Sequence, residues 1–510
     1  MNKLYSLLIL FLVTVTLTNA QPGTLDPTFG TDGVVTTSIS PKYNNVSTTI
    51  VQADGKILVA GHAGTNATYQ MTIVRYNTDG SLDSTFGQSG TLGFNVGPLK
   101  SFIMDLVQQP DGKIIIGGRT WDDVSGNFAL VRLNEDGSFD DTFGTNGISY
   151  IATAENDVAE AMSLLEDGKI LMTGYRNNNF TVAKFNADGS VDTTFGVDGW
   201  SVLTFDDASS YATAIAVQND GKIAISGFGL NGGNRFQIVT ARLNVDGSAD
   251  NSFGTNGKVI FNIGSWNDFG ESIAIQNDGK ILIGGHKWIA NAQQRHDLFV
   301  VRLNTDGSID TSYGNNGAGT ARLVDGANYA SEMVLQADDK PVLVGSTAFN
   351  GEYKMALVRF NTDGSLDPTF GAAGNGMVSV DNVGLEDYGR AVALQADEKI
   401  ILAGDFYTFS GTESEFVVTR FDNDGTAGTE DFQNLEFRLY PNPAKEQITV
   451  ELTDASSTYQ LEIFDVLGKK VYTSEIQKSK NIDVSALAQG TYLLKLNSEN
   501  KTNVIRFVKQ

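Results

Sequence analysis

Three histidines, sixty acids and no cysteine make up most of the reactive inventory of this 510-residue chain. Without cysteine there can be no disulfide, no zinc–thiolate site and no cysteine nucleophile. His62, His286 and His296 lack the spacing of a metal pair. The first two fall at one position of a repeat, where other copies carry Arg119, Tyr175, Phe228, Ser346 and Asp405, so a variable surface position is expected there. No nucleophile elbow or phosphate loop is present. The pairs Asp122-Asp123, Asp206-Asp207 and Glu386-Asp387 have the chemistry of a glycosidase, which needs two acids about 5–10 Å apart. Among sixty acids such neighbours arise by chance. No catalytic residue, metal site or cofactor is assigned.

The segment Asn77-x-Asp79-Gly80-Ser81-x-Asp83 looks like a calcium loop. In the EF-hand frame, however, its first ligand position is Arg75 and its twelfth is Phe86. Every copy fails in the same way, with Arg132, Lys184, Arg242, Arg302, Arg359 or Arg420 in first place. The better reading is structural, because Asn and Asp side chains bond the backbone of their own turn. The recurring base faces a recurring acid: Asp26, Asp83, Asp140, Asp192, Asp250, Asp310 or Asp367. A repeated Arg–Asp contact is therefore expected to lock each unit to its closing segment. The phenylalanine of the neighbouring Thr-Phe-Gly should fill the gap between units.

These residues sit on a repeat that must position them. Gly30, Gly87, Gly144, Gly196, Gly254, Gly314 and Gly371 recur at intervals of 57, 57, 52, 58, 60 and 57 residues. A period of this size signals a repeat architecture. Each unit alternates apolar strands with Asp-Gly turns, as in Gln52-Ala53-Asp54-Gly55-Lys56 and Asn77-Thr78-Asp79-Gly80, which is a strong hairpin signal. Four antiparallel strands per unit describe a propeller blade. Seven copies of the first three strands occur, but the fourth-strand segment begins before the first unit and is missing after the last. The strand at Gly33–Ser40 can then complete the seventh blade and leave no open edge. The expected fold is all-β, a seven-bladed propeller closed by its N-terminal strand, over 21–425. The repeats resemble the delta-60 family and, more distantly, NHL-type propellers. The resemblance implies no general activity.

The two ends differ from the ring. Lys3, the apolar run Leu7–Val13 and Thr18-Asn19-Ala20 read as a signal peptide over 1–20. No later segment is long and apolar enough for a transmembrane helix. The net charge is -24, but ten bases against nine acids over 436–510, together with Lys3, leave -26 on 21–435. Such charge argues against nucleic acid as a partner. A polar linker is expected at 426–437, followed by a small β-sandwich over 438–510 with alternating apolar strands.

That terminal domain resembles the type A C-terminal sorting domain of the type IX secretion system. The match runs through Tyr440-Pro441-Asn442-Pro443, Phe464-Asp465-Val466-Leu467-Gly468 with Val471, then Leu487, Gly490 and Tyr492, and a basic tail ending at Lys509. The resemblance implies partnership with the type IX export machinery of a Gram-negative bacterium. It also implies delivery to the outer surface or the medium, with the domain removed and the cargo released or joined to lipopolysaccharide.

Function should lie on the variable face. In a four-stranded blade the Asp-Gly turns share one face, while the second–third loops and the blade connections share the other. A rigid scaffold with variable loops is how binding sites are usually carried. Trp121, Tyr175, Trp266, Trp288, Tyr329, Tyr388 and Phe406 are the candidate binding residues there, because exposed aromatic rings favour sugar or protein ligands. At the mouth of the innermost strands stand Ser47, Met104, Glu160, Thr213, Glu271, Ser331 and Arg390, of which the two acids have the charge to hold a cation. The expected function is that of a secreted or surface-displayed propeller binding carbohydrate or protein. The alternatives are a hydrolase or lyase acting on extracellular polysaccharide, and a purely structural surface protein. An enzyme should gather acids or histidines at the channel mouth, whereas a binder should gather aromatics.

Overall fold

The computed structural model describes residues 21–423 and 437–509, apart from 41, 66–67, 98–99, 122–125, 152–154, 206–208, 265, 290–294, 381–383, 385, 409–412, 441–443, 453–458, 466–469 and 498–501. The expected signal peptide and nearly all of the expected linker lie outside the described residues, as do Pro441–Pro443 and Val466–Gly468 of the sorting motif. The chain divides into two compact units at Asp424–Gly425.

The first unit is a seven-bladed propeller of four-stranded antiparallel blades. Blade 1 is typical, with strands Tyr43–Val51, Ile57–Gly64, Tyr69–Tyr76 and Thr91–Phe94 paired in that order. Its second strand is almost wholly buried because it has neighbours on both sides and blades packed on both faces. Blade 7 takes three strands from Glu386–Leu394, Ile400–Tyr407 and Ser414–Phe421, and its fourth is Val34–Thr37 from the N-terminus. That strand is shorter than the expected Gly33–Ser40, and it pairs Val34 with Thr419 and Thr37 with Phe416. The ring closes as the repeat count requires.

The turn side of each blade is fixed by one arrangement. Arg75 donates from Nε to Asp83 at 2.7 Å, and the same contact joins Arg132 to Asp140, Arg242 to Asp250, Arg302 to Asp310, Arg359 to Asp367 and Arg420 to Asp26, all within 3.0 Å. Blade 3 departs from the expectation, since Lys184 makes no such ion pair and Lys169 reaches Asp192 at 2.8 Å instead. A lysine of the Asp-Gly-Lys turn or its variants in fact joins the acid in every blade, from Lys56 with Asp83 to Lys399 with Asp26. Sequence reasoning had paired only the arginine. Each guanidinium also lies over the expected aromatic ring, Arg75 at 4.6 Å from the Phe86 centroid. Phe29, Phe86, Phe143, Phe195, Phe253, Tyr313 and Phe370 are all buried.

The turn glycine of the next blade sits on that ring. Gly137 has φ +88, and a Cβ there would stand 3.0 Å from the Phe86 ring. Beside it, the Gly87 amide donates to the Asp136 carbonyl at 2.9 Å, joining blade to blade. The turn aspartates are already occupied: Asp79 Oδ1 accepts from the Ser81 amide at 2.9 Å and from its hydroxyl at 2.7 Å.

The second unit is a small β-sandwich. Strands Phe437–Tyr440, Gln447–Leu452 and Ser479–Asp483 form one sheet. The other runs Lys470–Ile476, Tyr459–Asp465, Gly490–Asn497 and Thr502–Lys509. Both sheets contribute to one core, which includes Ile448, Val450, Leu461, Ile463, Leu494 and Phe507.

Candidate functional site

The innermost strand of every propeller blade carries a β-bulge. The register shifts around Ser47, Met104, Glu160, Thr213, Glu271, Ser331 and Arg390. A bulge leaves one residue unpaired and re-aims its side chain. All seven line one central cavity of about 200 Å³, together with Thr48, Asp105 and Glu332 from the following positions. The bulge also forces the strand's carbonyl against its partner. A Cβ at Gly285 would overlap the carbonyl oxygen of Phe269, and the other second-strand glycines meet the equivalent carbonyl. A glycine is needed there because of close approach.

The residue following that glycine is not the variable surface position expected from sequence. It pairs across the strands with the residue two before the bulge, as His286 does with Phe269 and Ser346 with Tyr329. His286, Ser346 and Asp405 are buried, and His62, Arg119, Tyr175 and Phe228 are half-buried. The strands run further than the apolar alternation suggests because their last turns carry polar and aromatic side chains. Tyr175, His286 and the tip residues Trp121 and Trp288 therefore belong to strands, whereas the sequence placed them in loops.

Rings of these two columns and of the strand ends beside them form an aromatic collar to which every blade contributes. Tyr43, Tyr69, His62 and Phe102 are in ring contact, and Arg119 lies over Phe102. Tyr175 meets Tyr211 at 4.9 Å, and Tyr211 meets Phe228 at 5.5 Å. Contacts continue from Phe228 to Phe269, and from Phe269 to His286 at 5.0 Å. Trp288 stacks on His296 at 4.9 Å, and Tyr329 stands edge-on to both histidines. In blades 6 and 7, Tyr388 meets Tyr353 at 4.8 Å and Tyr407 at 6.0 Å.

Of the seven candidate binding residues, the structure brings Tyr175, Trp288, Tyr329 and Tyr388 into this collar. Trp266 is exposed, under the guanidinium of Arg235 at 4.3 Å. Trp121 is exposed at a strand tip and meets no ring among the described residues. Phe406 is corrected outright: strand alternation turns it into the core cluster that holds Val380 and Val417, and its successor Tyr407 takes the collar position. Phe102, Phe236, Phe269, Tyr353, His286 and Tyr407 were missed. Aligning the seven copies on the bulge residue would have shown Phe102 and Phe269, since the column two positions earlier reads Asn45, Phe102, Val158, Tyr211, Phe269, Tyr329 and Tyr388.

Charge lies beneath the rings. Arg119 holds Glu160 at 2.7 Å, and Arg390 holds Asp405 at 3.0 Å. Asp105 accepts the Met162 amide at 2.9 Å, and Glu332 the Val392 amide at 2.8 Å, so both also staple blades together. Burial pushes Asp105 up to about 6 and Glu332 up to about 8. Burial, aided by the Glu160 charge, pushes Glu271 up to about 8 as well. Burial holds His286 down to about 3, and His62 and His296 down to about 4. At neutral pH the histidines are uncharged. Of the carboxylate pairs noted in the sequence, Glu386 and Asp387 alternate in one strand and so face apart; the other two pairs lie outside the described residues.

Two family models match the sequence. The secretion system C-terminal sorting domain matches 438–510. The domain of unknown function (DUF5122) β-propeller matches at 52–86, 109–143, 165–195, 218–253, 276–313, 336–370 and 395–427. The chain is a DUF5122 propeller with a secretion sorting domain. That domain indicates secretion by the type IX system to the cell surface or extracellular space. Among the described residues no helix is long and apolar enough to cross a membrane. A search of curated proteins finds no match.

Solved structures to which the chain is similar include a PL25 ulvan lyase bound to -[GlcA(1-4)Rha3S]-, at 12% identity and a TM-score of 0.42, covering 80% of this chain and 95% of that one. The polysaccharide lyase Uly1 is similar at 11% identity and a TM-score of 0.42, covering 76% and 91%. Sqt1 of Chaetomium thermophilum, bound to the N-terminus of ribosomal protein L10, is similar at 11% and 0.36, covering 74% and 96%.

Proposed function

We propose that the secreted propeller binds a carbohydrate at the mouth of its central channel, on the face opposite the Asp-Gly turns. The observation that carries this reading is the aromatic collar, in which rings from all seven blades surround a cavity floored by polar side chains. Aromatic faces stack on the apolar faces of sugars, while a few placed polar groups fix their hydroxyls. Trp121 and Trp266 stand outside the collar and are assigned at most a peripheral part in binding.

A glycan array with the secreted protein tests this reading. Wild type should bind a restricted set of glycans, and Tyr329→Ala or Trp288→Ala should weaken that binding by about tenfold or more, equivalent to about 1.4 kcal/mol. Binding unchanged by both substitutions would reject the collar as the site. A second reading has one observation in its favour: the collar sets the raised acid Glu271 near Glu160, and carboxyls in unlike environments are how glycoside hydrolases divide acid from base. Reducing ends released by wild type but not by Glu271→Gln would convert the binder into a hydrolase.

A further inference from the structure

Glu271 is the unmatched acid of the channel. Glu160 and Asp405 each hold a guanidinium, and Asp105 and Glu332 each accept a backbone amide. Glu271 accepts no hydrogen bond from any described residue, although it lines the cavity and 22% of its side chain stays open. Beside it, 3.6 Å away, is Nδ1 of His286, itself without a hydrogen-bond partner on a residue only 8% exposed. A half-buried carboxyl and a buried ring nitrogen face each other across a gap too wide for a hydrogen bond. A donor from elsewhere would satisfy both.

The surroundings specify that donor. Phe269 stacks on His286 at 5.0 Å, and Tyr329 stands edge-on to it at 5.5 Å, so aromatic rings border the entry to Glu271. Aromatic faces attract cations, more strongly when desolvated. Arg390 of the cavity lining is already committed to Asp405, and Arg119 beside the cavity to Glu160 of the lining, which leaves an anionic sugar no free guanidinium there among the described residues. A bare metal ion is poorly served too, because among the described residues no three acids or histidines are gathered to ligate one. The 200 Å³ cavity holds a small organic group.

We propose that the channel binds a primary ammonium group carried by an amino sugar, with Glu271 as its counter-ion and the rings of Phe269 and Tyr329 flanking it. The proposal rests on the carbohydrate reading of the same collar and names the sugar class. Glu271 shares the cavity with Glu160, Asp105, Glu332 and Arg390, lies beside His286, and is linked to Arg119 through Glu160; burial keeps it protonated at neutral pH. An arriving ammonium group therefore displaces a proton from Glu271 to solvent.

Calorimetric titration of the full protein tests this with four probes: a glucosamine tetrasaccharide, its N-acetylated counterpart, a glucuronate tetrasaccharide and Nα-acetyl-lysine amide. The free amine should bind about tenfold or more tighter than the acetylated sugar. Its affinity should rise between about pH 5 and about pH 7, and its heat should differ between buffers because a proton is released. Glu271→Gln should erase the preference for the amine. Equal affinities for amine and acetylated sugar, a preference surviving in Glu271→Gln, or tighter binding of the glucuronate would overturn the ammonium site and leave the carbohydrate reading standing. Lysine amide binding without any sugar would overturn the carbohydrate reading and keep the ammonium site, and no binding by any probe would overturn both. The wild-type comparisons hold whether or not the variant folds.

Discussion

The turn side and the collar side of the propeller are built on the same strands yet obey opposite rules. On the turn side, acid, lysine, aromatic ring and glycine recur seven times, and six blades add the same arginine contact. The charges there satisfy one another. On the collar side, the bulge position holds Ser, Met, Glu, Thr, Glu, Ser and Arg in turn, and Glu271 accepts no hydrogen bond from any described residue. Repetition here marks what holds the ring together. Variation marks what the ring holds up for recognition.

The largest expected effect comes from breaking the turn side where the ring closes. Asp26 accepts Arg420 at 2.7 Å and Lys399 at 2.6 Å, and Arg420 is almost fully buried. Asp26→Ala should cost about 3–5 kcal/mol by stranding a buried guanidinium, seen as a fall in Tm. A comparable loss from Tyr329→Ala would erase the distinction between the two sides.

An intermediate effect separates the two sides by pH. Hydrogen bonds and basic neighbours overcome burial to hold Asp26, Asp83, Asp140, Asp250 and Asp310 well below the usual carboxylate range, and they hold Asp192 at about 2. Their stabilisation is present above the unfolded value of about 4 and is lost as pH falls towards their folded values. Glu271 and Glu332 run the other way: raised to about 8, they stabilise most below their unfolded value and progressively less as pH climbs to 8. The doubly substituted Glu271→Gln, Glu332→Gln protein should flatten the decline of Tm between about pH 5 and about pH 8 and leave the acid limb untouched. A flattened acid limb would contradict this division of roles.

The smallest effect sharpens the comparison. Lys184 is the one base that fails to reach its acid, so Lys184→Arg should supply the missing contact and raise stability by about 0.5–1 kcal/mol in denaturant unfolding. A loss would show that blade 3 is adapted to its lysines.

The ring was legible in the sequence because each hairpin announces itself through Asp-Gly turns and because the fourth-strand segment is offset by one unit. The arginine contact was legible for the same reason, repetition. The collar was less so. A β-bulge inserts one residue into an otherwise alternating strand, so period-two reading assigns the wrong face beyond it. Phe406 was placed at the surface and Tyr407 passed over for the related reason that a one-residue choice reverses inside and outside. The seven bulge residues were nevertheless found at the channel, because they occupy one column of the repeat. Glu271's missing partner needed three-dimensional neighbours.

The strand Val34–Thr37 has a consequence for the order of events in the protein's life. Its blade is sealed by contacts such as Asp26 to Arg420, residues 394 positions apart. Until Phe421 exists, the ring retains an unpaired strand edge, a surface prone to adhere to other chains. The sorting domain begins at residue 438, shortly after the last strand needed for closure. A chain cut short anywhere in the ring thus lacks both its seal and its address. Because the address follows the seal in the chain, a chain that carries it already holds every strand the ring needs to close.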